Sequence, residues 1–254
     1  MGTSVGQLSE ARVCGAGFER YELAEWRHDH GVVAGTTAAV DGFDLDLWGS
    51  QPVGVVLRRF DMLRNAFAGS FAGIAIGRQV HGVGIAVHER APEGLLIHDG
   101  IDGHITLAPG CLLALSVADC IPIFLLEPGS GAMALLHAGW RGTGAGILAR
   151  GIAHLASLAG TPAGSIVMHC GIGICGECYE VGGEVLEAVT GEPAARPGKL
   201  DLRAVLVRQA RELGVGRCTT STWCSAHDEG RFFSHRRSRG AAGRMIGYLG
   251  KPVT

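Results

Sequence analysis

Lysine is almost absent: Lys199 and Lys251 are the only two among 22 basic residues, the rest being arginine. Charge of either sign is sparse, at 18% of 254 residues, and 22 basic against 24 acidic residues leave a net charge of −2. That balance excludes the basic field through which proteins hold nucleic acid without regard to sequence. Long apolar runs are missing too. The longest, Cys111 to Leu126, is interrupted by Asp119 and Pro122 and is too short to span a bilayer. The opening MGTSVGQLSE has neither the basic nor the apolar region of a signal peptide, and Gly6 stands where myristoylation needs Ser or Thr. The expectation is a soluble, cytoplasmic protein with no membrane or nucleic-acid partner.

What the chain has in quantity is apolar side chains (47%), glycine (41 residues) and histidine (11). A chain of this size buries about 70–75% of the surface its unfolded form exposes, so no disulfide staples are needed. The spacing of Val55, Val56, Phe60, Leu63 and Phe67 predicts a helix from Pro52 to Ala68. Short apolar runs at 74–76, 83–87 and 95–97 predict strands. Continuous ones at 111–117, 121–126 and 132–136 predict strands buried on both faces. Further helices are expected at 145–159, 182–189 and 202–213, and further strands at 166–169 and 245–249. Residues 1–50 read as turn-rich, with an exposed run from Glu19 to His30. Strands covered by helices on both sides predict a layered α/β domain. One domain over residues 1–254 is expected, with roughly the first twenty residues free to move.

Most of the histidines have no ligand-type neighbours in sequence; His28, His30, His88, His98 and His154 read as surface or core residues. Two sit differently. His81 lies in Gln79-Val80-His81-Gly82, where an apolar segment breaks at glycines. His137 ends an apolar run in His137-Ala138-Gly139-Trp140-Arg141-Gly142. Between them, Cys120 follows Asp119 at the junction of two apolar runs. These separations exclude a zinc-finger hairpin and suit a site assembled by tertiary structure. Two imidazoles and a thiolate would leave a fourth tetrahedral position open, as at a catalytic zinc. The alternative is a buried apolar cysteine and two histidines bonded to backbone. A second group, Cys175-x-x-Cys178 with Cys224-x-x-His227, has the spacing of a Cys₃His zinc site, a disulfide or a redox pair.

As strings, Gln79-Val80-His81-Gly82, Ala118-Asp119-Cys120 and His137-Ala138-Gly139-Trp140-Arg141-Gly142 closely resemble the YfiH/YlmD family. That family is variously labelled laccase-domain protein, multicopper polyphenol oxidase, peptidoglycan editing factor and purine nucleoside phosphorylase. The likeness continues through Asp102-Gly103-His104-Ile105-Thr106, Tyr179-Glu180-Val181, Leu200-Asp201-Leu202-Arg203, Phe232-Phe233-Ser234-His235-Arg236-Arg237 and Gly243-Arg244-Met245. The resemblance implies a single three-layer α/β/α domain with a mixed central sheet. It implies one zinc ion on His81, Cys120 and His137, with copper as the alternative metal. It also implies purine nucleoside chemistry, by phosphorolysis or by deamination of adenosine, so the partners expected are a purine nucleoside and phosphate.

A thiolate and two neutral imidazoles would leave zinc at net +1, a Lewis acid able to lower the pKa of water. Arg59 and Arg141 are the candidates for phosphate, because a guanidinium matches its oxygens in bidentate geometry. Asp119 is the candidate to orient a ligand or handle a proton. Departures from the family pattern include Arg58 for Asn, Ile172 for Pro, Cys175 for Gly and the segment Asp44-Leu45-Asp46-Leu47. The family commonly carries one cysteine in each of the two later turns without a second metal. Two other enzyme classes remain open. One is a Cys–His hydrolase editing peptidoglycan precursors, with Cys120 as nucleophile and His137 as base. The other is a copper-dependent polyphenol oxidase.

Overall fold

The three long apolar runs become strands buried on both faces, and the cause is a β layer two sheets thick. The computed structural model describes residues 3–67 and 69–253. In chain order its strands are β1 (Ser4–Gln7), β2 (Ala11–Gly15), β3 (Phe18–Glu22), β4 (Val33–Thr37), β5 (Gly73–Arg78), β6 (Ile85–His88), β7 (Gly94–Asp99) and β8 (Gly103–Thr106). These are followed by β9 (Cys111–Val117), β10 (Ile121–Glu127), β11 (Ala132–Ala138), β12 (Val167–Cys170), β13 (Glu180–Val181), β14 (Gly198–Lys199), β15 (Arg217–Thr220) and β16 (Met245–Gly250). The helices are α1 (Ala24–His30), α2 (Val53–Asn65), α3 (Trp140–Gly144), α4 (Ile147–Ala159), α5 (Gly183–Thr190), α6 (Leu202–Glu212) and α7 (His235–Ser238).

One seven-stranded sheet has the order β1-β15-β12-β10-β11-β8-β6 and a second has β2-β3-β4-β16-β9-β5-β7; β13 and β14 form a small ribbon. Both large sheets mix parallel and antiparallel pairs. Side-chain alternation divides each strand between two cores. In β10, Ile121, Ile123 and Leu125 pack with Leu148 of α4 and Leu206 of α6. Its Phe124 and Leu126 pack instead with Leu113 and Leu115 of β9 in the other sheet. Leu112 and Ala114 of β9 face outward onto Val56, Phe60 and Leu63 of α2. The α/β class and the mixed strand directions are as expected, but the layering is helix, sheet, sheet, helix rather than α/β/α. No helix among the described residues is long and apolar enough to cross a membrane.

The run from Glu19 to His30, expected to be exposed, forms β3 and α1, and the expectation fails for β3 while most of α1 is exposed. All five residues of β3 are buried, and its charges are paired: Arg20 donates to Glu22 at 2.6 Å, and Arg12 to Glu19 at 2.5 Å. The early segments Ser4–Gln7 and Ala11–Gly15 pair with β15 and β3. The helix expected over 52–68 is Val53–Asn65, and Ala68 lies outside the described residues.

The double layer places the chemistry. The connections β5–β6, β7–β8 and β9–β10 each leave the second sheet and enter the first. They carry His81, Asp102 and Cys120 respectively. At the same edge, His88 of β6, His98 of β7 and His104 of β8 form a cluster that the sequence does not announce. His88 and His104 share a ring-nitrogen hydrogen bond of 3.0 Å, and the His88 and His98 rings lie 5.3 Å apart.

Burial first, and then neighbouring imidazoles, bring His88 down to about 4 and His104 to about 3, while Asp102 pulls His104 weakly the other way. Both are neutral when folded but protonate in the unfolded chain below about 6.5. The stability they permit is therefore present above that pH and lost as pH falls through the folded values, by up to about 1.4 kcal/mol per pH unit for each group. Urea denaturation should show the midpoint falling from pH 7 to pH 5, and His104→Gln should make that fall shallower; an unchanged slope would assign it to other groups.

Candidate functional site

His81, Cys120 and His137 converge, each offering one donor atom within 4.8 Å of the others. The two imidazole rings are 4.9 Å apart and inclined at 69°. His137 ends β11 on the face that Met133 and Leu135 turn toward the space between the sheets. His81 and Cys120 come from crossovers that turn sharply. His81 itself has φ +60° and Asp119, next to Cys120, has φ +86°. A non-glycine residue in that region costs about 1–3 kcal/mol and persists only where its surroundings hold it.

The holding group is Asp102, which is fully buried. Its carboxylate accepts the backbone N–H groups of Val80 (3.1 Å), His81 (2.9 Å) and Gly82 (2.8 Å), and it contacts Nδ1 of His137 at 2.9 Å. Its carbonyl accepts the N–H of His137 at 2.8 Å. Burial opposes the charge on Asp102, but the bonds from His137 and Gly82 outweigh it and keep the carboxyl below its usual range. With Nδ1 committed to Asp102, Nε2 is the nitrogen His137 has to offer. Gln79 fastens the first crossover to β9 by exchanging hydrogen bonds with the backbone of Ser116 at 2.8 and 2.9 Å.

Burial would raise the Cys120 thiol, yet His137 and then His81 overcome it and bring the thiol down to about 6. His137 is drawn up to about 9 against its burial by Cys120 and Asp102. Burial, the largest cause, pushes the core thiols of Cys111 and Cys170 up to about 12. Cys120 thus differs from these core thiols. Gly139 completes the pocket from α3's side: a Cβ there would sit 2.9 Å from Cys120 Sγ and 3.1 Å from His81 Cδ2.

The three residues line a cavity of about 630 Å³, together with Asp119, Arg141, Trp48, Tyr179 and Arg236. Arg141 lies over the Trp140 ring, 4.2 Å from its centroid. Arg236 lies over Tyr179 at 5.0 Å. Both oxygens of Asp119 are engaged, one by the Ser225 hydroxyl and one by the Arg236 N–H, each at 2.6 Å. Its carboxylate thus braces the loop after β15 instead of standing open for proton transfer. Arg59 stands apart from these residues. It is not among the cavity-lining residues, because its guanidinium donates to the Asp44 carbonyl at 2.7 Å and rests on Phe43.

Residues that the sequence reading left without a site role include Asp102, Trp48 and Tyr179. For Asp102 a signal existed, a lone carboxylate between Ile101 and Gly103 at the start of an apolar strand.

A sequence profile described as "Multi-copper polyphenol oxidoreductase laccase" matches residues 29–251. A purine nucleoside phosphorylase of Deinococcus radiodurans is 38% identical over 234 residues, covering 87% of this chain and 86% of that protein. Adenosine deaminase RL5, from an unknown prokaryotic organism, is 32% identical over 192 residues, 68% of this chain and 73% of its own. The solved structure of hypothetical protein YfiH from Bacillus licheniformis has a TM-score of 0.81 at 24% identity, covering 91% of this chain and 96% of that one. YlmD from Geobacillus stearothermophilus has 0.78 at 27% identity, covering 87% and 92%.

Gly139→Ala should leave the folded structure intact but lower zinc affinity at this cluster by about 10–100-fold, since the added methyl displaces two donors. Zinc titration against a competing chelator measures it, and an unchanged affinity would mean that Cys120 and His81 do not share a metal.

Proposed function

The chain belongs to the YfiH/YlmD family, described as multi-copper polyphenol oxidoreductase laccase, and from that footing we propose a metal-dependent enzyme of purine nucleosides. The observation that carries the reading is the convergence of His81, Cys120 and His137 on a cavity that also holds aromatic faces and guanidinium groups. Relatives named purine nucleoside phosphorylase and adenosine deaminase supply the substrate class. The donor set fits zinc: one thiolate, two imidazoles, and a carboxylate behind His137 of the kind that orients metal-ligating histidines. Zinc held by these three residues supplies Lewis acidity to the cavity.

The remaining roles fall to the chain's own residues. Trp48, 43% exposed at the cavity, and Tyr179 offer flat faces for a purine. Arg141 takes the phosphate, its guanidinium held over the Trp140 ring. In phosphorolysis a phosphate oxygen bonds to the ribose C1′ as the glycosidic bond breaks and the purine leaves with a proton. In deamination water adds at C6 and ammonia leaves. Asp119 acts at one remove in both, holding Arg236 and the Ser225 loop in place.

Copper suits imidazole and thiolate too. Multicopper oxidation, however, needs several histidine-rich sets. The other group of described residues whose donor atoms all lie within 4.8 Å of one another has three cysteines and one histidine, and His88, His98 and His104 do not form such a group. The Cys120–His137–Asp102 line would also serve a thiol nucleophile, which chelation separates because that chemistry survives metal removal.

Metal-quantified protein incubated with adenosine, with and without phosphate, should give adenine and ribose 1-phosphate, or inosine. Cys120→Ala and chelator should each abolish turnover. Turnover that persists after complete metal removal, or in Cys120→Ala, would refute the reading. Arg141→Ala should raise the phosphate KM about tenfold or more while changing deamination less than about twofold. Equal losses in both would take the phosphate role from Arg141.

A further inference from the structure

A second convergence of donors lies in two turns that the chemistry above does not use. Cys175 and Cys178 bracket one, closed by the Cys178 N–H donating to the Cys175 carbonyl at 3.1 Å. Cys224 and His227 bracket the other, closed by the Asp228 N–H donating to the Cys224 carbonyl at 3.0 Å. A β-bridge between Gly173 and Cys224 sets them side by side. One donor atom from each of the four residues lies within 4.8 Å of the other three. Cys175 Sγ and His227 Nδ1 are 3.3 Å apart. Around a tetrahedral zinc, with bonds near 2.3 Å to sulfur and 2.0–2.1 Å to nitrogen, neighbouring donors stand about 3.5–3.8 Å apart. The side chains need only small adjustments to reach that spacing.

Packing does not explain the grouping. Cys224 is buried, but Cys175 and Cys178 are half-buried and His227 is exposed, so the four do not close an apolar core. Disulfide pairing does not explain it either, because any one bridge would leave a thiol and an imidazole facing each other without a purpose. The groups around the four residues match a thiolate-rich cation site. The Cys224 sulfur accepts the backbone N–H groups of Cys175 (3.3 Å) and His227 (3.4 Å). Three thiolates on a divalent ion leave a net −1, and cations are tied to both turns. Arg237 donates to the carbonyls of Ser225 (2.8 Å) and Ala226 (2.9 Å), between the ligands of the second turn. Lys199 donates to the carbonyl of Glu177, between those of the first.

We propose that Cys175, Cys178, Cys224 and His227 bind one zinc ion as a closed structural site, separate from His81, Cys120 and His137. All four positions are filled by protein, so the ion has no place for substrate and acts as a staple. What it staples is one wall of the cavity. The first turn runs on into Tyr179, and the second carries Ser225, which holds Asp119 at 2.6 Å. Arg236, downstream of the second turn, lies over Tyr179 and donates to the carbonyl of Glu180. The departure of Cys175 from its family's glycine thereby gains a reason: it supplies the fourth ligand.

The full chain, purified under reducing conditions with zinc in the medium, should carry two zinc ions per molecule by mass spectrometry of the metal. His81→Ala should keep one and Cys224→Ser should keep the other, with the thermal midpoint falling in Cys224→Ser alone. His227→Cys, which preserves four ligands, should retain both ions and tests the site should Cys224→Ser fail to fold. In the native protein Cys175 and Cys178 should resist alkylation until a chelator is added. One zinc per chain that Cys224→Ser leaves in place would overturn the proposal. So would free alkylation of Cys175 and Cys178 in the zinc-loaded protein, or a disulfide among these cysteines in the reduced preparation. None of these readouts depends on nucleoside turnover.

Discussion

One buried carboxylate organises the cavity site. Asp102 collects three consecutive backbone N–H groups from the 80–82 turn and faces the ring of His137. A carboxylate in a nonpolar interior is costly unless its oxygens are fully bonded, and here the bonds that satisfy it are also the ones that shape the site. They hold His81 in a left-handed conformation and fix which nitrogen His137 presents. The same arrangement ties the β5–β6 crossover and the end of β11 to the β7–β8 crossover, so neither His81 nor His137 depends on its own segment alone.

The crossovers exist because the β layer is double. Chain leaving the end of a strand in one sheet must turn sharply to enter the other, and such turns are where side chains can stand out from a packed core. Cys120 occupies one, with the Asp119 carboxylate braced between Ser225 and Arg236. The wall opposite in sequence, from Ile174 to Tyr179, is in turn held against the 224–227 turn. The cavity is therefore lined by elements that are secured by polar bonds and not by loop packing alone, as preorganised electrostatics requires.

Much of this was legible in the sequence. The apolar strands 111–117 and 121–126 were found nearly to the residue, because continuous burial leaves an unmistakable run. The three donors stood out as polar residues where such runs break. Two sheets could not be told from one, since a strand buried against a helix and a strand buried against another sheet have the same composition. Asp102 offered only the weak signal of a lone carboxylate before an apolar strand, because most of its partners are backbone N–H groups, which carry no sequence signal of their own. The contact of Arg59 was illegible for a related reason: its partner is the Asp44 carbonyl. The paired charges of β3 looked exposed because Glu19 and Arg20 are neutralised by contacts made across strands and within them.

The account turns on Asp102, and the most direct measurement is the zinc affinity of the His81–Cys120–His137 cluster in Asp102→Asn against the unaltered chain, by competition with a chelator. An amide cannot accept all the bonds a carboxylate accepts, and it removes the charge behind His137. Affinity should fall by about 10–100-fold, the usual cost of losing a group that orients a metal-ligating histidine. An unchanged affinity in a folded variant would show that the three donors hold their positions without it, and would contradict the account.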